Sequence, residues 1–397
     1  MLVIAIASVV ARTSHAASYV FTNIADSSGI FAPSTPLVSG IGNGFLSINN
    51  FGVVAFSSQL DNGGNGVFRG SGVAITPIAL SNDPVFSGVY GGSINDSGNV
   101  AFVGNLDSGG SGIFTGSGGA TTPVALTSDG FTGFGAPRMN NAGRIAFIGG
   151  VAPGNLGLFL RGGGPAARVA LESEPIFSSL ADFSINSSGT VAFFAALESG
   201  STGVFTGNGG AITTITLGSF PGGTPSINDA GTVAFGLDST STVATRILTG
   251  NGGGVSTYVS NAGPYNSFGV YPSINSSGKV AFLAGLDVVD FVVRDGLFTG
   301  PDPVADKVII MNEPLFGSTL VAFDGANTQS PGNIDGNDQG QVAFHYKLAD
   351  GRQGIAVATP VPEPSVATFL FVAVVSLPLF GRWRIQQRST SRQPASA

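Results

Sequence analysis

The sequence predicts an all-β fold, a seven-bladed β-propeller of four-stranded blades, from repetition, period and phase. One motif, Asn-x-x-Gly-x-(Val/Ile)-Ala-Phe, occurs seven times, with its Asn at positions 49, 95, 140, 186, 228, 275 and 337. The intervals of 46, 45, 46, 42, 47 and 62 residues lie near the length of one four-stranded propeller blade. Each copy is followed by further short apolar runs in a fixed order, so every interval carries the same set of strands. An open β-solenoid is the alternative, although its coils are usually shorter than these intervals.

Composition agrees with many short strands. Charged residues make up 10% of the 397, hydrophobic residues 43%, and Gly numbers 61. Disordered chains show the reverse balance. Val, Ala and Phe runs broken by Gly read as strands and tight turns, and no stretch outside the two ends sustains a helical period.

The motif itself reads as a hairpin. Asn is favoured at the start of a type I turn, where its side chain accepts a backbone hydrogen bond. Gly three residues later can take positive φ and form the bulge that re-joins the strands. The pairs are Asn49 and Gly52, Asn95 and Gly98, Asn140 and Gly143, Asn186 and Gly189, Asn228 and Gly231, Asn275 and Gly278, and Asn337 and Gly340. Ser-Ile precedes the Asn in five copies, and the seventh lacks it. In Val-Ala-Phe the pleat sends Val and Phe to one face and Ala to the other. A constant Ala predicts a face packed tightly against a neighbouring layer, with Phe filling the other.

A second pair of strands follows. Gly66-Val67-Phe68, Gly112-Ile113-Phe114, Gly157-Leu158-Phe159, Gly203-Val204-Phe205 and Gly296-Leu297-Phe298 mark one strand, and runs such as Pro123–Leu126 and Arg168–Leu171 the next. That last type of strand precedes every Asn motif, beginning with Tyr19-Val20-Phe21-Thr22, and none follows Gly354-Ile355-Ala356-Val357. The phase predicts that the N-terminal strand completes the last blade and closes the ring, which removes exposed sheet edges. The 62-residue interval predicts an inserted loop around Phe316 to Asn333.

The two ends read as addresses. Leu2 to Val10 is apolar, and Ser14 and Ala16 supply small residues for cleavage after Ala16, so residues 1–16 are predicted to be a signal peptide. The body is then 17–360. In the segment 361–397, Pro362, Glu363 and Pro364 precede an apolar stretch, Val366 to Phe380, and Arg382, Arg384, Arg388 and Arg392 follow. The apolar stretch suits a membrane and the Arg cluster would hold its end in the cytoplasm. Its 15 residues fall short of the ~20 that span comfortably, and Pro378 interrupts it, as expected of a transient anchor.

This order of Pro-Glu-Pro, apolar run and Arg cluster resembles the PEP-CTERM sorting signal, which implies processing by an exosortase-type membrane protease in a Gram-negative, exopolysaccharide-producing bacterium. The repeats, from about Tyr19 to Val357, resemble the NxxGxxAF tandem-repeat family of secreted, anchor-bearing bacterial proteins. That resemblance implies export and no activity assignable to particular residues.

Candidate chemistry is sparse. With net charge −7 and its cations not clustered in the body, the chain is a poor partner for nucleic acid. Cys is absent, so there are no disulfides or thiolate sites. The body has one His, His345, which follows the seventh Ala-Phe and reads as a strand-exposed residue rather than a proton shuttle. Gly162-Gly163-Gly164 and Gly252-Gly253-Gly254 lack the flanks of a phosphate-binding loop. Asp61, Asp107, Glu198 and Asp287 each lie twelve residues after their Asn, in a loop placed between the third and fourth strands. They are Ca²⁺ ligands on one reading and openers of Gly-rich turns on the other. Asp335-Gly336-Asn337-Asp338 is the densest oxygen cluster. The only Trp, Trp383, lies in the tail, which weakens a lectin reading.

These features predict an exported, non-catalytic module of the cell envelope or exopolysaccharide matrix, with no catalytic, metal or cofactor residues. Its expected partners are the processing protease and exopolysaccharide or other surface proteins. The alternatives are a propeller-type glycoside hydrolase or lyase using carboxylates in a central funnel, and a Ca²⁺-dependent adhesin.

Overall fold

The computed structural model describes residues 18–33, 46–152, 154–172, 176–218, 223–237, 244–289, 292–323 and 334–362. The chain divides into two units, Met1–Pro360 and Val361–Ala397. Of the second, only Val361 and Pro362 are described, and both are exposed. The signal peptide, Glu363, Pro364, the apolar stretch and its arginines lie outside the described residues. No helix among the described residues is long and apolar enough to cross a membrane.

The body is a seven-bladed propeller, and its sheets are antiparallel throughout. Blade 1 runs from the channel outward through Leu46–Ile48, Val54–Gln59, Asn65–Gly70 and Ile75–Leu80. Blade 2 runs through Phe86–Ile94, Val100–Leu106, Ser111–Gly116 and Thr122–Leu126. Blades 3 to 6 repeat this order, with second strands at Ile145–Ala152, Val191–Leu197, Val233–Leu237 and Val280–Val289. Inner strands break where the chain bulges, as between Gly133–Phe134 and Arg138–Met139. Among the described residues the helical content is one 3₁₀ turn, Thr127–Asp129.

The N-terminal strand closes the ring. Tyr19–Asp26 is the outer strand of blade 7 and pairs with Gln353–Pro360 from Tyr19↔Pro360 to Asp26↔Gly354. The structure is therefore a closed ring and not an open solenoid. The long last interval, from Asn275 to Asn337, differs in part from expectation. Phe316 and Gly317 form the turn between Pro314–Leu315 and Ser318–Ala322. The latter strand pairs with Val342–Leu348 at Leu320↔Leu348, and Ile334–Gly336 pairs with the other end of that strand. Five residues of the predicted loop, Ser318–Ala322, thus supply half of an interrupted inner strand; residues 324–333 lie outside the described residues.

The hairpin chemistry is repeated at every motif. Gly52, Gly98, Gly143, Gly189, Gly231, Gly278 and Gly340 all have φ between 75° and 84°. The amide of each donates to its Asn carbonyl at 2.9–3.1 Å. Each Asn Oδ1 also accepts the amide four residues on, at 2.9–3.0 Å.

Packing between blades explains the Ala-Phe dipeptide. Ala101 of blade 2 packs with Phe147 and Phe159 of blade 3. Ala146 packs with Val191, Phe193 and Phe205 of blade 4, and Ala343 of blade 7 packs with Val54 and Phe56 of blade 1. A methyl group lets the next blade's aromatic layer approach closely. That layer is itself ordered. Phe102 stacks on Phe114 with ring centroids 5.9 Å apart, and Phe86 meets Phe114 edge-on at 5.0 Å. Such pairs add about 0.5–1.5 kcal/mol beyond burial. The Gly of Gly-x-Phe makes room for the ring: a Cβ on Gly203 would lie 2.7 Å from Phe205 Cζ.

Candidate functional site

The seven inner strands and their Asn turns enclose an axial cavity of about 240 Å³, lined from all seven blades. Three kinds of hydrogen bond stitch neighbouring blades around it, all running from one blade to the next.

The first uses the motif Asn. Its Oδ1 is committed to its own turn, leaving Nδ2 free to reach outward. Asn49 Nδ2 donates to the Asn95 carbonyl at 3.1 Å, Asn186 to Asn228 at 3.1 Å, Asn228 to Asn275 at 3.1 Å, and Asn337 to Asn49 at 2.8 Å. Asn140 reaches the carbonyls of both Asn186 and Ser187, at 2.9 and 3.2 Å. Six of the seven Asn residues are buried, and Asn275 is half-buried.

The second uses the next residue. The Asn50 amide and Nδ2 donate to the two oxygens of Asp96, at 2.8 and 3.0 Å. Ser187 does the same to Asp229 through its amide and Oγ, at 2.9 and 2.8 Å. The Ser276 amide donates to Asp338 at 2.8 Å, and the Asp338 amide donates to Asn50 Oδ1 at 3.0 Å.

The third uses the Ser two residues before the Asn. Ser93 Oγ accepts the Met139 amide at 2.9 Å, Ser184 the Ile227 amide at 3.0 Å, Ser226 the Ile274 amide at 3.1 Å, and Ser273 the Gly336 amide at 2.9 Å. In blade 7 Asp335 takes the place of Ser, and its Oδ2 accepts the Ile48 amide at 2.9 Å. In blade 3 Arg138 takes that place; a guanidinium carries donors only.

Arg138 and Asp335 both line the cavity, with Tyr271. Burial pushes the Asp335 carboxyl up to about 6, against the opposing pull of the Ile48 amide, Arg138, Ser273 and the Gly336 amide. Burial raises Asp182 as well, and Arg138 opposes it. Burial lowers Arg138, while Asp182 and Asp335 hold it up. Arg138 therefore lies in the field of two carboxylates, Asp182 and Asp335, of which Asp335 lines the cavity.

Other predicted residues fall elsewhere. Asp61, Asp107 and Glu198 lie between the second and third strands of their blades, counted from the channel, not between the third and fourth. Their side chains are exposed on separate blades, and their amides donate to the carbonyls of Ile30, Val85 and Ile176 at 3.0–3.1 Å. The Asp287 side chain lies outside the described residues. In the oxygen cluster, Asp335, Asn337 and Asp338 each bond to blade 1 across the closing seam. His345 is not strand-exposed: it is 2% exposed. It pairs with Ile355 within the sheet and shares the face of Ala343, which packs on blade 1. Burial on that face is what the pleat dictates, because Ala343 and His345 are two residues apart.

Sequence reasoning found the turn role of Asn and missed its bond to the next blade. The departures from Ser at 138 and 335 are visible in the repeat and could have singled out these two lining residues.

Among solved structures, the Pyrococcus horikoshii acylaminoacyl peptidase matches at 10% identity and TM-score 0.52, over 83% of this chain and 53% of that one. The chain thus spans about half the length of that protein, and the likeness is one of fold alone. YCF48 from Cyanidioschyzon merolae matches at 10% identity and TM-score 0.43, over 84% and 99% of the two chains. The six-bladed Aleuria aurantia lectin matches at 8% identity and TM-score 0.36, over 81% and 96%. No curated protein sequence matches the chain. Residues 23–302 and 318–368 match the model of a family of unknown function, DUF7453, and the chain belongs to that family.

Proposed function

We propose that the chain is an exported, non-catalytic binding module of the cell envelope or exopolysaccharide matrix, sorted through its C-terminal segment by an exosortase-type protease. The observation that carries this reading is the occupation of the acids around the channel mouth. Asp96, Asp229 and Asp338 each accept hydrogen bonds from the preceding blade. A carboxylate held in this way supports the ring and is poorly placed to exchange protons with a substrate. The test is co-sedimentation of the mature protein with the producing cell's exopolysaccharide, beside a reducing-end assay on the same mixture. Binding without new reducing ends is expected; release of fragments overturns the non-catalytic reading. Export is tested by cell fractionation and by the mass of the mature C-terminus, where recovery of the intact tail in the cytoplasm contradicts it.

A second reading, a glycoside hydrolase or lyase, draws support from Asp335, whose carboxyl is held up to about 6, a value suited to acid–base work near neutrality. Asp335→Asn would abolish turnover if this reading holds.

A further inference from the structure

We propose that the axial channel binds one neutral, hexose-sized saccharide unit between Arg138 and Asp335. This deepens the reading of the chain as a glycan-binding module and rests on it.

The repeat supplies the first argument. Five blades place Ser two residues before the motif Asn, and four of those hydroxyls take an amide of the next blade at 2.9–3.1 Å. Arg138 has no acceptor to offer at this position. Enclosing a guanidinium and a carboxylate in a channel also costs desolvation that a Ser pair avoids. The two departures from Ser in the repeat are both charged and both line the cavity, which gives it a chemistry that the other five blades do not supply at this position.

Size and chemistry supply the second. A cavity of about 240 Å³ lined from all seven blades is of a size to take a small polar molecule such as one sugar ring. A guanidinium presents a planar fork of donors and a carboxylate a pair of acceptors, and each matches two adjacent hydroxyls. Asp335 Oδ2 takes the Ile48 amide at 2.9 Å, and its Oδ1 makes a long contact with Ser273, at 3.4 Å, that a sugar hydroxyl could replace. Tyr271, also on the lining, adds an aromatic face with a polar end. The charge balance selects a neutral ligand. Asp96, Asp229, Asp335 and Asp338 line the cavity against the single cation Arg138, so a uronate or phosphate meets excess negative charge, which a neutral polyol does not.

The test uses the mature chain and calorimetric titration with the methyl glycosides of glucose, galactose and mannose, and with glucuronate and alanine as anionic and zwitterionic controls. At least one neutral glycoside is expected to bind saturably, and at least tenfold more weakly in Arg138→Ser and Asp335→Ser. Both variants place the residue used by five other blades, but each leaves the opposing charge uncompensated, so melting temperatures are measured beside the titrations and binding is compared where each variant is folded. Should Asp335→Ser melt early, Asp335→Asn keeps an acceptor for Ile48 and gives the same readout. Unchanged affinity in these variants overturns the proposal, as does binding of glucuronate or alanine with no neutral glycoside. If polymer still co-sediments while the variants bind it unchanged, the channel site fails and the binding module stands. If neither polymer nor glycoside binds, both fail.

Discussion

Asn337 Nδ2 donates to the main-chain carbonyl of Asn49 at 2.8 Å, joining the last blade to the first. Its Oδ1 meanwhile accepts the amides of Gln339 and Gln341 at 3.1 and 3.0 Å. One buried amide group thus makes a turn and closes a ring. Asn337→Ala removes both roles and leaves buried partners unsatisfied, at about 1–3 kcal/mol. Asn337→Asp keeps the turn acceptor and loses the donor to Asn49. The expected order of thermal stability is parent, then one or both variants below it by several degrees; equal melting of all three would contradict the dual role.

The Ala of each motif is expected to resist enlargement. Ala101 is fully buried against Phe147 and Phe159 of the next blade. Ala101→Leu forces an aromatic layer outward, and overpacking of this kind costs about 1–3 kcal/mol or more. Phe147→Ala leaves a cavity in the same layer and costs about 3–5 kcal/mol. Denaturant midpoints of the two variants check both values, and a Leu variant as stable as the parent would show that blades can separate freely there.

Asp335 sets a pH dependence of definite sign. Its folded value, about 6, lies above its ordinary value of 3.8, so the folded protein holds this proton more tightly than the unfolded chain. The stability associated with it is fully present below about 4 and falls as pH rises towards 6. Asp335→Asn removes that fall, so the variant gains most over the parent above pH 6 and little near pH 4. Melting curves at pH 4, 6 and 8 read this directly; a constant difference would sink it.

Asp26 runs the other way. Burial alone would raise its carboxyl, but hydrogen bonds from the Ser28 hydroxyl and amide and from Asn23, with the Arg352 charge, bring it below the usual range. Its contribution is present above the ordinary carboxylate value and is lost as pH falls through the folded one. Asp26→Asn is expected to destabilise the closing strand at pH 7 and to differ less from the parent in strong acid. Hydrogen exchange of the Tyr19–Asp26 amides at the two pH values checks it.

Much of this architecture was legible because it is local. The Asn–Gly hairpin, the alternation in Val-Ala-Phe and the phase of Tyr19–Thr22 all follow from neighbours in sequence. The stitches from Asn49 to Asn95 or from Ser93 to Met139 were not legible, because they join copies through space and depend on how steeply one blade leans on the next. Arg138 and Asp335 could be seen as exceptions to Ser but not as residues on one cavity. His345 was misplaced although the pleat that hides Ala343 also hides it. Part of the inserted interval, Ser318–Ala322, pairs as a strand at Leu320↔Leu348, which no repeat pattern announces.

The central claim is that the first strand closes the ring. The chain has no Cys, so an engineered pair reports without ambiguity. Val20 and Thr359 face each other across the closing strand pair, and Val20 is 58% exposed. In Val20→Cys/Thr359→Cys a disulfide is expected to form in the native protein under mild oxidation, giving a circularised chain of altered gel mobility and a raised melting temperature. Failure of the native protein to cross-link, with cross-linking only after unfolding, would contradict the closed ring.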